Sequence, residues 1–238
     1  MIAAVVVTAL TTGWAGVRDL VSRIAMWRVR LRWWKVALSP VLLLLAATGV
    51  LWITGQERPA VGDYARFSGT PVLAIGVFAA ITLAAAIGEE VGWRGFALPR
   101  LQRRFSPLIA TLILAPLWWL WHLQFFVAEL TLGPGYLGYL PLVTCIAIIL
   151  TWLYNRTGGS LLLVIVWHGL VNFVSVTAAV SAIINILLVA QGVLLLVLEL
   201  VARRRARVSV LGADDFRGHS LDRPLGREPY PDRRVTTH

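Results

Sequence analysis

Carboxylate, imidazole and carboxamide side chains lie inside or beside apolar stretches of this 238-residue chain. Glu89 and Glu90 stand together at the end of one apolar run. His122 and His168 lie within two further runs, and Asn172 follows His168 at the spacing that shares a helix face. Such groups can activate water, bind a metal ion or donate hydrogen bonds to a developing negative charge. Because ionisable groups are costly to bury in apolar surroundings, their presence indicates a functional site.

The two adjacent glutamates are expected to have different roles. A helix that continues through them places Glu90 and Arg94 at positions i and i+4 with the acid first, which is the favoured order for an ion pair. Glu89 points about 100° away around the helix and lacks that partner, so its carboxylate is the better general base. The alternative is a salt-bridged helix end, in which both carboxylates pair with Arg94 and other arginines.

The histidines also have structural alternatives. His122 lies among tryptophans and could be a hydrogen-bonded packing residue or an interface anchor. His168 and Asn172 could form an interhelical hydrogen-bond pair that holds membrane helices together. Each histidine motif, taken alone, leaves the choice between structure and catalysis open.

The composition indicates a membrane protein, because 58% hydrophobic and 14% charged residues, with a mean hydropathy of +0.75, exceed what a soluble core of this size can bury. We therefore predict an all-α fold, a polytopic bundle of about seven transmembrane helices. The predicted spans are residues 1–16, 34–54, 71–88, 107–128, 137–154, 160–176 and 178–201.

Basic residues predict the orientation of the bundle, since Arg and Lys accumulate on the cytoplasmic side. They concentrate in the first, third and fifth loops and after the last span, whereas the fourth loop has none. The C-terminus and the paired glutamates are therefore expected at the cytoplasmic face. The net charge of +10 does not indicate nucleic-acid binding, because the arginines cluster between apolar runs rather than along a surface interleaved with aromatic residues.

The segment between the first two spans predicts an amphipathic helix that lies in the membrane interface, with a partner-binding helix as the alternative. Its apolar residues repeat at helical spacing with arginines between them: Leu20, Ile24, Trp27, Leu31 and Trp34.

The chain divides into a membrane-embedded domain, residues 1–202, and a polar C-terminal segment, residues 203–238. The polar segment is punctuated by prolines and predicts a disordered cytoplasmic tail. Its two histidines, His219 and His238, are expected to be solvated bystanders.

Three short motifs occur in order, each in or beside its own predicted span. They are Glu89-Glu90-x-x-x-Arg94, Trp118-x-x-x-His122 and His168-x-x-x-Asn172. In this order they resemble the CPBP family of intramembrane proteases, which includes the type II CAAX prenyl endopeptidases and the bacterial Abi proteins. The resemblance covers residues 71–176, the motif core of the membrane domain. The first position of the second motif is often Phe in the family and is Trp118 here.

The resemblance implies peptide hydrolysis by these residues. Glu89 would activate water, assisted by His122. Glu90 would complete the catalytic set, with structural support from its arginine partner. His168 and Asn172 would line the remaining wall of the site.

Two chemical versions fit the same residues. In one, a divalent metal such as zinc is held by His122, His168 and Glu89 and activates a bound water. In the other no metal binds, and His168 and Asn172 donate hydrogen bonds to the oxyanion. The sequence lacks the His-Glu-x-x-His helix of soluble metalloproteases, so residue spacing does not choose between the two versions.

The expected substrate is a membrane-associated or lipidated polypeptide, cleaved near the cytoplasmic face of a bacterial plasma membrane. No residue pattern predicts the oligomeric state. A noncatalytic membrane scaffold or immunity protein is one alternative, with the polar motifs acting as interhelical contacts. A proton-coupled transporter, or a haem protein with His122 and His168 as axial ligands, is the other.

The expected depths of these residues in the membrane conflict if every span is a straight helix with the predicted bounds. Counted from the cytoplasmic side, His168 is about 12 Å deep and His122 about 22 Å deep, while Glu89 is shallower than either. Two solutions are open. Either the third span extends past Gly92 and carries the glutamates deeper, or Pro116 breaks the fourth span.

Overall fold

The computed structural model describes residues 1–64, 71–128, 134–206 and 210–212. Within these ranges every regular element is helical, which confirms the all-α prediction. The α-helices are α1 (Ile2–Ile24), α2 (Leu31–Ala37), α3 (Pro40–Ile53), α4 (Pro71–Glu90), α5 (Leu98–Gln102), α6 (Pro107–Trp121), α7 (Leu123–Ala128), α8 (Pro134–Arg156), α9 (Leu161–Val174) and α10 (Ala178–Ala206). A short 3₁₀ turn covers Val61–Tyr64, and a π-helical segment, Val91–Ala97, joins α4 to α5.

Among the described residues, five helical segments are long and apolar enough to cross a membrane, and six if the bent pair α2 and α3 counts as one span. The sequence predicts about seven. The difference lies in α9, which has 14 residues, whereas a straight crossing needs about 20. The fold is therefore a polytopic helix bundle that contains one short apolar helix.

The third span is longer than predicted. α4, the π-helical segment and α5 follow one another without a break, and Leu73–Gln102 forms a single apolar helix. π-helical turns are rare and occur frequently at functional sites. Because the helix continues well past Gly88, Glu89 and Glu90 lie inside it rather than at its end. The first of the two solutions to the depth conflict is the observed one.

The fourth span is not broken at its proline. Ser106 caps α6, since its Oγ accepts a hydrogen bond from the main-chain N–H of Ile109 at 3.4 Å. Pro116 lies inside α6 without ending it. The helix ends at Trp121 instead, and His122 lies in the break before α7.

Most residues of α9 are buried, and this short helix packs closely against α4. Positive φ angles at Gly158 (68°) and Gly159 (91°) turn the chain after α8, and the side chain of Ser160 caps the new helix. The two helices approach closely at Gly169, where a Cβ atom would be in ordinary van der Waals contact with Leu83 of α4, 3.5 Å from its Cα. This approach places the polar residues of α9 beside those of the third span.

The segment between the first two spans differs from its prediction. α1 continues past the predicted end of the first span to Ile24, with a kink at Gly13 (φ 66°). The predicted interfacial helix is interrupted, since residues 25–30 are not helical and α2 begins at Leu31. The amphipathic pattern is therefore divided between the end of α1 and the start of α2.

The first loop, the fifth loop and the segment after α10 meet at one end of the bundle. Arg23 Nη1 donates a hydrogen bond to the hydroxyl of Tyr154 at 2.7 Å, which joins the end of α1 to the end of α8. Arg156 Nε donates to the carbonyl of Val210 at 3.0 Å, which joins the end of α8 to the segment after α10. These are the loops that carry most of the basic residues.

The last described residues pack onto the bundle. α10 continues to Ala206, beyond the predicted domain boundary at residue 202. Leu211 is buried, its main-chain N–H donates to Oε2 of Glu199 at 2.8 Å, and its carbonyl accepts from Asn155 Nδ2 at 3.0 Å. At least this part of the predicted tail is therefore ordered against α8 and α10.

Several predicted features lie outside the described residues. They are most of the fourth loop and the greater part of the predicted disordered tail, with His219 and His238.

Candidate active site

Trp118 of α6 lies at the centre of the predicted catalytic residues. Its indole Nε1 donates a hydrogen bond to Oε2 of Glu89 at 2.5 Å. The guanidinium of Arg94 lies over the same ring, 4.4 Å from the centroid. The imidazoles of His122 and His168 both pack edge-to-face with it, each at 5.6 Å between centroids. One side chain therefore contacts polar residues from three separate segments of the bundle.

Glu90 joins the third span to α9. Its Oε1 accepts a hydrogen bond from Arg94 Nη1 at 3.0 Å and another from His168 Nδ1 at 2.7 Å. All three residues are buried, with relative exposures of 0% for Glu90, 2% for Arg94 and 5% for His168. The i, i+4 pair expected from the sequence is therefore present, and the bond to His168 is a contact that sequence spacing does not reveal.

His122 is held at the break between α6 and α7. Its Nδ1 lies 2.7 Å from the carbonyl oxygen of Trp118. Because a carbonyl can only accept, Nδ1 carries the proton, and Nε2 of the neutral ring is an acceptor. Tyr139 of α8 packs edge-to-face against this ring at 5.3 Å between centroids, which restrains the ring plane.

The same reasoning places a proton on Nδ1 of His168, because the carboxylate of Glu90 can only accept. Nε2 is then an acceptor in the neutral ring and a donor in the doubly protonated ring. Asn172 lies one turn further along α9 and is half-buried. Asn172 and His168 thus share a helix face, as their spacing predicts.

A cavity of about 310 Å³ lies beside Glu89, between the first turns of α1 and the third span. Its walls from the third span and α6 are Gly88, Glu89, Gly92, Trp93, Phe96 and Trp121. Because a water molecule occupies about 30 Å³ in the liquid, the cavity has room for water and for part of a peptide. Glu89 therefore has space for a reactant beside it, whereas Glu90 is enclosed by protein.

Four of the six predicted site residues contact one indole ring, namely Glu89, Arg94, His122 and His168. The fifth, Glu90, is bonded to two of them, and the sixth, Asn172, lies one helical turn beyond His168 on α9. Sequence reasoning treated Trp118 only as the aromatic position of a motif and did not foresee its polar contacts. Its signal was its spacing, since it precedes His122 by one helical turn on the same face. Tyr139 was missed because no local pattern ties it to the histidine motifs.

The three predicted metal ligands, Glu89, His122 and His168, are bonded to different protein groups. In the part of the chain that the structure describes, no group of three or more His, Cys, Asp or Glu is arranged to hold a metal ion. The physical reason is Trp118, whose indole binds the Glu89 carboxylate and packs against the rings of His122 and His168. As placed, these donors do not fit the tetrahedral shell of a zinc ion.

The fold and the site together define a polytopic helical membrane protein with a buried cluster of glutamates and histidines. Residues 71–174 match the family model described as type II CAAX prenyl endopeptidase Rce1-like. A curated relative, CAAX prenyl protease 2 from Methanococcus maripaludis, is 32% identical over 129 residues, which cover 49% of this chain and 45% of the relative. The match thus extends over less than half the length of that relative.

Over this segment the chain is similar to the type II CAAX prenyl endopeptidases, which confirms the resemblance seen in its three motifs. The matched segment starts with α4 and ends with α9. It therefore contains every residue of the cluster around Trp118, while α1 to α3 and α10 lie outside it.

Proposed function

We propose that this chain is an intramembrane endopeptidase in which Glu89 and His122 activate the attacking water. The observation that carries the proposal is the cluster in which Glu89, His122 and His168 all contact the indole of Trp118, with a cavity beside Glu89. The family match supports the class of reaction.

The carboxylate of Glu89 suits the role of general base. Its Oε2 accepts the indole N–H, which leaves Oε1 to accept a proton from water. As the water oxygen attacks the scissile carbonyl carbon, Glu89 takes the proton and later delivers it to the leaving amine when the C–N bond breaks. His122 Nε2 accepts the second hydrogen bond of the same water and so orients it.

His168 and Asn172 are proposed to stabilise the negative charge that develops on the carbonyl oxygen. The carboxamide of Asn172 supplies an N–H donor from the same face of α9. A donor at Nε2 of His168 requires the doubly protonated ring, whose charge the carboxylate of Glu90 would offset. Glu90 then acts through His168, as a positioning residue, and Arg94 holds Glu90.

The reaction is proposed to proceed without a metal ion. Glu89 and both imidazoles are already bonded to protein groups, namely an indole N–H, a main-chain carbonyl and a second carboxylate. These contacts are compatible with acid–base chemistry by Glu89 and with hydrogen bonding by His168. They bind Glu89, His122 and His168 to three different protein groups rather than to one metal ion.

Membrane-associated or lipidated polypeptides are the proposed substrates. The relative's name, CAAX prenyl protease, makes prenylated peptides the first class to test. The cavity wall beside Glu89 is mainly apolar and aromatic, which suits a substrate that reaches the site from the membrane.

The site is proposed to open towards the cytoplasmic face of a bacterial plasma membrane, with the C-terminus on the same side. The support for this orientation is the concentration of Arg and Lys in the loops at one end of the bundle. The second and fourth loops, which carry few basic residues or none, would then face the opposite side.

The function is tested with the full chain reconstituted in lipid vesicles and incubated with prenylated peptides and their unprenylated counterparts. Mass spectrometry of the products reports whether and where a peptide bond is cleaved. We expect cleavage by the wild-type chain, a loss of at least about 100-fold in His168→Ala and Asn172→Ala, and normal rates in the matched control Asn185→Ala. No cleavage of any peptide by the wild-type chain, or equal rates in all variants, would overturn the proposal.

A further inference from the structure

Trp118 makes two different polar contacts, one to each half of the proposed water-activating pair. Its indole N–H donates to Oε2 of Glu89 at 2.5 Å. Its main-chain carbonyl accepts from Nδ1 of His122 at 2.7 Å. Trp118 is 3% exposed, whereas its two partners, Glu89 and His122, are half-buried.

These two contacts determine which atoms remain for the reactant. Oε2 of Glu89 already accepts one hydrogen bond, so Oε1 is the oxygen with the greater remaining capacity to accept a proton. Nδ1 of His122 is occupied as a donor, so Nε2 of the neutral ring is the atom that can accept. One residue thus leaves one acceptor on each side chain, and a single water molecule has two protons to match them.

The ring itself is also held in place. Arg94 lies over one face at 4.4 Å from the centroid, and the imidazoles of His122 and His168 pack edge-to-face with it at 5.6 Å. Contacts of this kind restrain the plane of an indole. The direction of the N–H bond towards Glu89 is therefore determined by packing on several sides of the ring.

We propose that Trp118 is a positioning residue, whose indole N–H and main-chain carbonyl together aim Glu89 and His122 at one water molecule. The proposal rests on the proposed function of the two residues. It assigns to the indole nitrogen a task that a phenyl ring at this position cannot perform, because a phenyl ring has no donor.

The two contacts come from different parts of Trp118. The bond to Glu89 comes from the side chain, so it is lost when the indole is replaced. The carbonyl bond to His122 comes from the main chain, so it survives a change of the Trp118 side chain.

The test compares Trp118→Phe with Trp119→Phe in the full chain. Trp119 is a matched control on the same helix, because its indole also donates a hydrogen bond, to the carbonyl of Tyr136 at 2.8 Å, and stacks on the Tyr136 ring. For Trp118→Phe we expect kcat to fall by about 10- to 100-fold, the effect typical of removing an orienting hydrogen bond, with little change in KM. Trp119→Phe should change neither kcat nor KM.

A second measurement requires no substrate and separates this inference from the proposed function. The indole ¹⁵N–¹H resonance of Trp118, identified by its absence in Trp118→Phe, should move upfield in Glu89→Leu, because that change removes the acceptor of its hydrogen bond. Glu89→Gln keeps an acceptor and should move the resonance less. If Trp118→Phe does not fold, incorporation of the benzothienyl analogue of tryptophan at this position removes the N–H while keeping the shape of the ring.

Three results would overturn the inference or the function separately. A Trp118 indole resonance that does not change when Glu89 is replaced contradicts the positioning role of Trp118, whether or not any peptide is cleaved. An active wild-type chain whose Trp118→Phe variant or analogue has an unchanged kcat does the same while leaving the proposed function intact. A Trp118 resonance that changes with the residue at position 89, in a chain that cleaves no peptide, supports the contact between Trp118 and Glu89. The same result contradicts the proposed function.

Discussion

Removing both charges of the Glu90–Arg94 pair should separate its role in stability from its role in positioning His168. The perturbation consists of three variants: Glu90→Leu, Arg94→Met and the double variant. Both residues are almost completely buried. Oε1 of Glu90 accepts hydrogen bonds from both Arg94 and His168. A change at either position therefore leaves a charged or polar group without its partner.

The expected magnitudes follow from this burial. Opposite charges about 4 Å apart attract by about 4 kcal/mol at an effective dielectric constant near 20. Removing one partner of a buried pair typically costs about 3–5 kcal/mol, because the other charge stays buried and unpaired. Replacing both partners by apolar residues of similar volume is often close to neutral. Each single variant should lose about 3–5 kcal/mol, and the double variant should regain most of that loss.

Activity should behave differently from stability. In the double variant, Nδ1 of His168 has no carboxylate to donate to, so the ring loses the contact that orients it. The cleavage rate should therefore stay at least about 100-fold below wild type even where the free energy of unfolding has recovered.

The assay is denaturant unfolding in detergent micelles, combined with initial cleavage rates measured on the same preparations. Losses in the single variants that simply add in the double variant would show that the two charges do not interact. A double variant with wild-type rates would refute the positioning of His168 by Glu90.

The remaining predictions concern packing, a buried hydrogen bond and metal dependence. Gly192→Ala should destabilise the bundle by about 1–3 kcal/mol in thermal unfolding, because the new Cβ would lie 2.4 Å from the Cβ of Cys145. Its control is Gly76→Ala, which has nothing within 4 Å of the new Cβ and should be neutral or stabilising in the same assay. Tyr154→Phe should cost about 1–3 kcal/mol in denaturant unfolding, because it leaves the buried guanidinium of Arg23 without the hydroxyl acceptor that it contacts at 2.7 Å; an unchanged midpoint would contradict that. Treatment with EDTA or 1,10-phenanthroline should leave the cleavage rate within about twofold, whereas a loss that zinc restores would contradict metal-independent chemistry.

The sequence was sufficient for the class of fold and for the local part of the site. Hydropathy reveals apolar helices because it depends only on neighbouring residues, and the Glu90–Arg94 bond follows from a spacing of one helical turn. The bond from His168 to Glu90 joins residues 78 positions apart. It depends on how closely α9 approaches α4, which no local pattern encodes.

Helix bounds were predicted less well where charges lie inside a helix. The third span was expected to end at Gly88 because two glutamates follow, yet the helix continues to Gln102. Charged residues inside a span are tolerated when they pair with each other, and Glu90 and Arg94 do so. The predicted number of spans was too high because α9 is short and buried. Hydropathy does not distinguish a helix packed among other helices from one that faces lipid.

The most direct test of the central claim is the single-turnover cleavage rate of Glu89→Gln beside that of the wild-type chain, in the same vesicles and with the same peptide. Glutamine keeps the shape of the side chain and an acceptor for the indole of Trp118, but it cannot take a proton from water. We predict that the rate falls by about 10²- to 10⁴-fold, the usual contribution of a general base, while substrate affinity and unfolding stay close to wild type. A variant that still cleaves within about tenfold of the wild-type rate would contradict the assignment of Glu89 as the water-activating base.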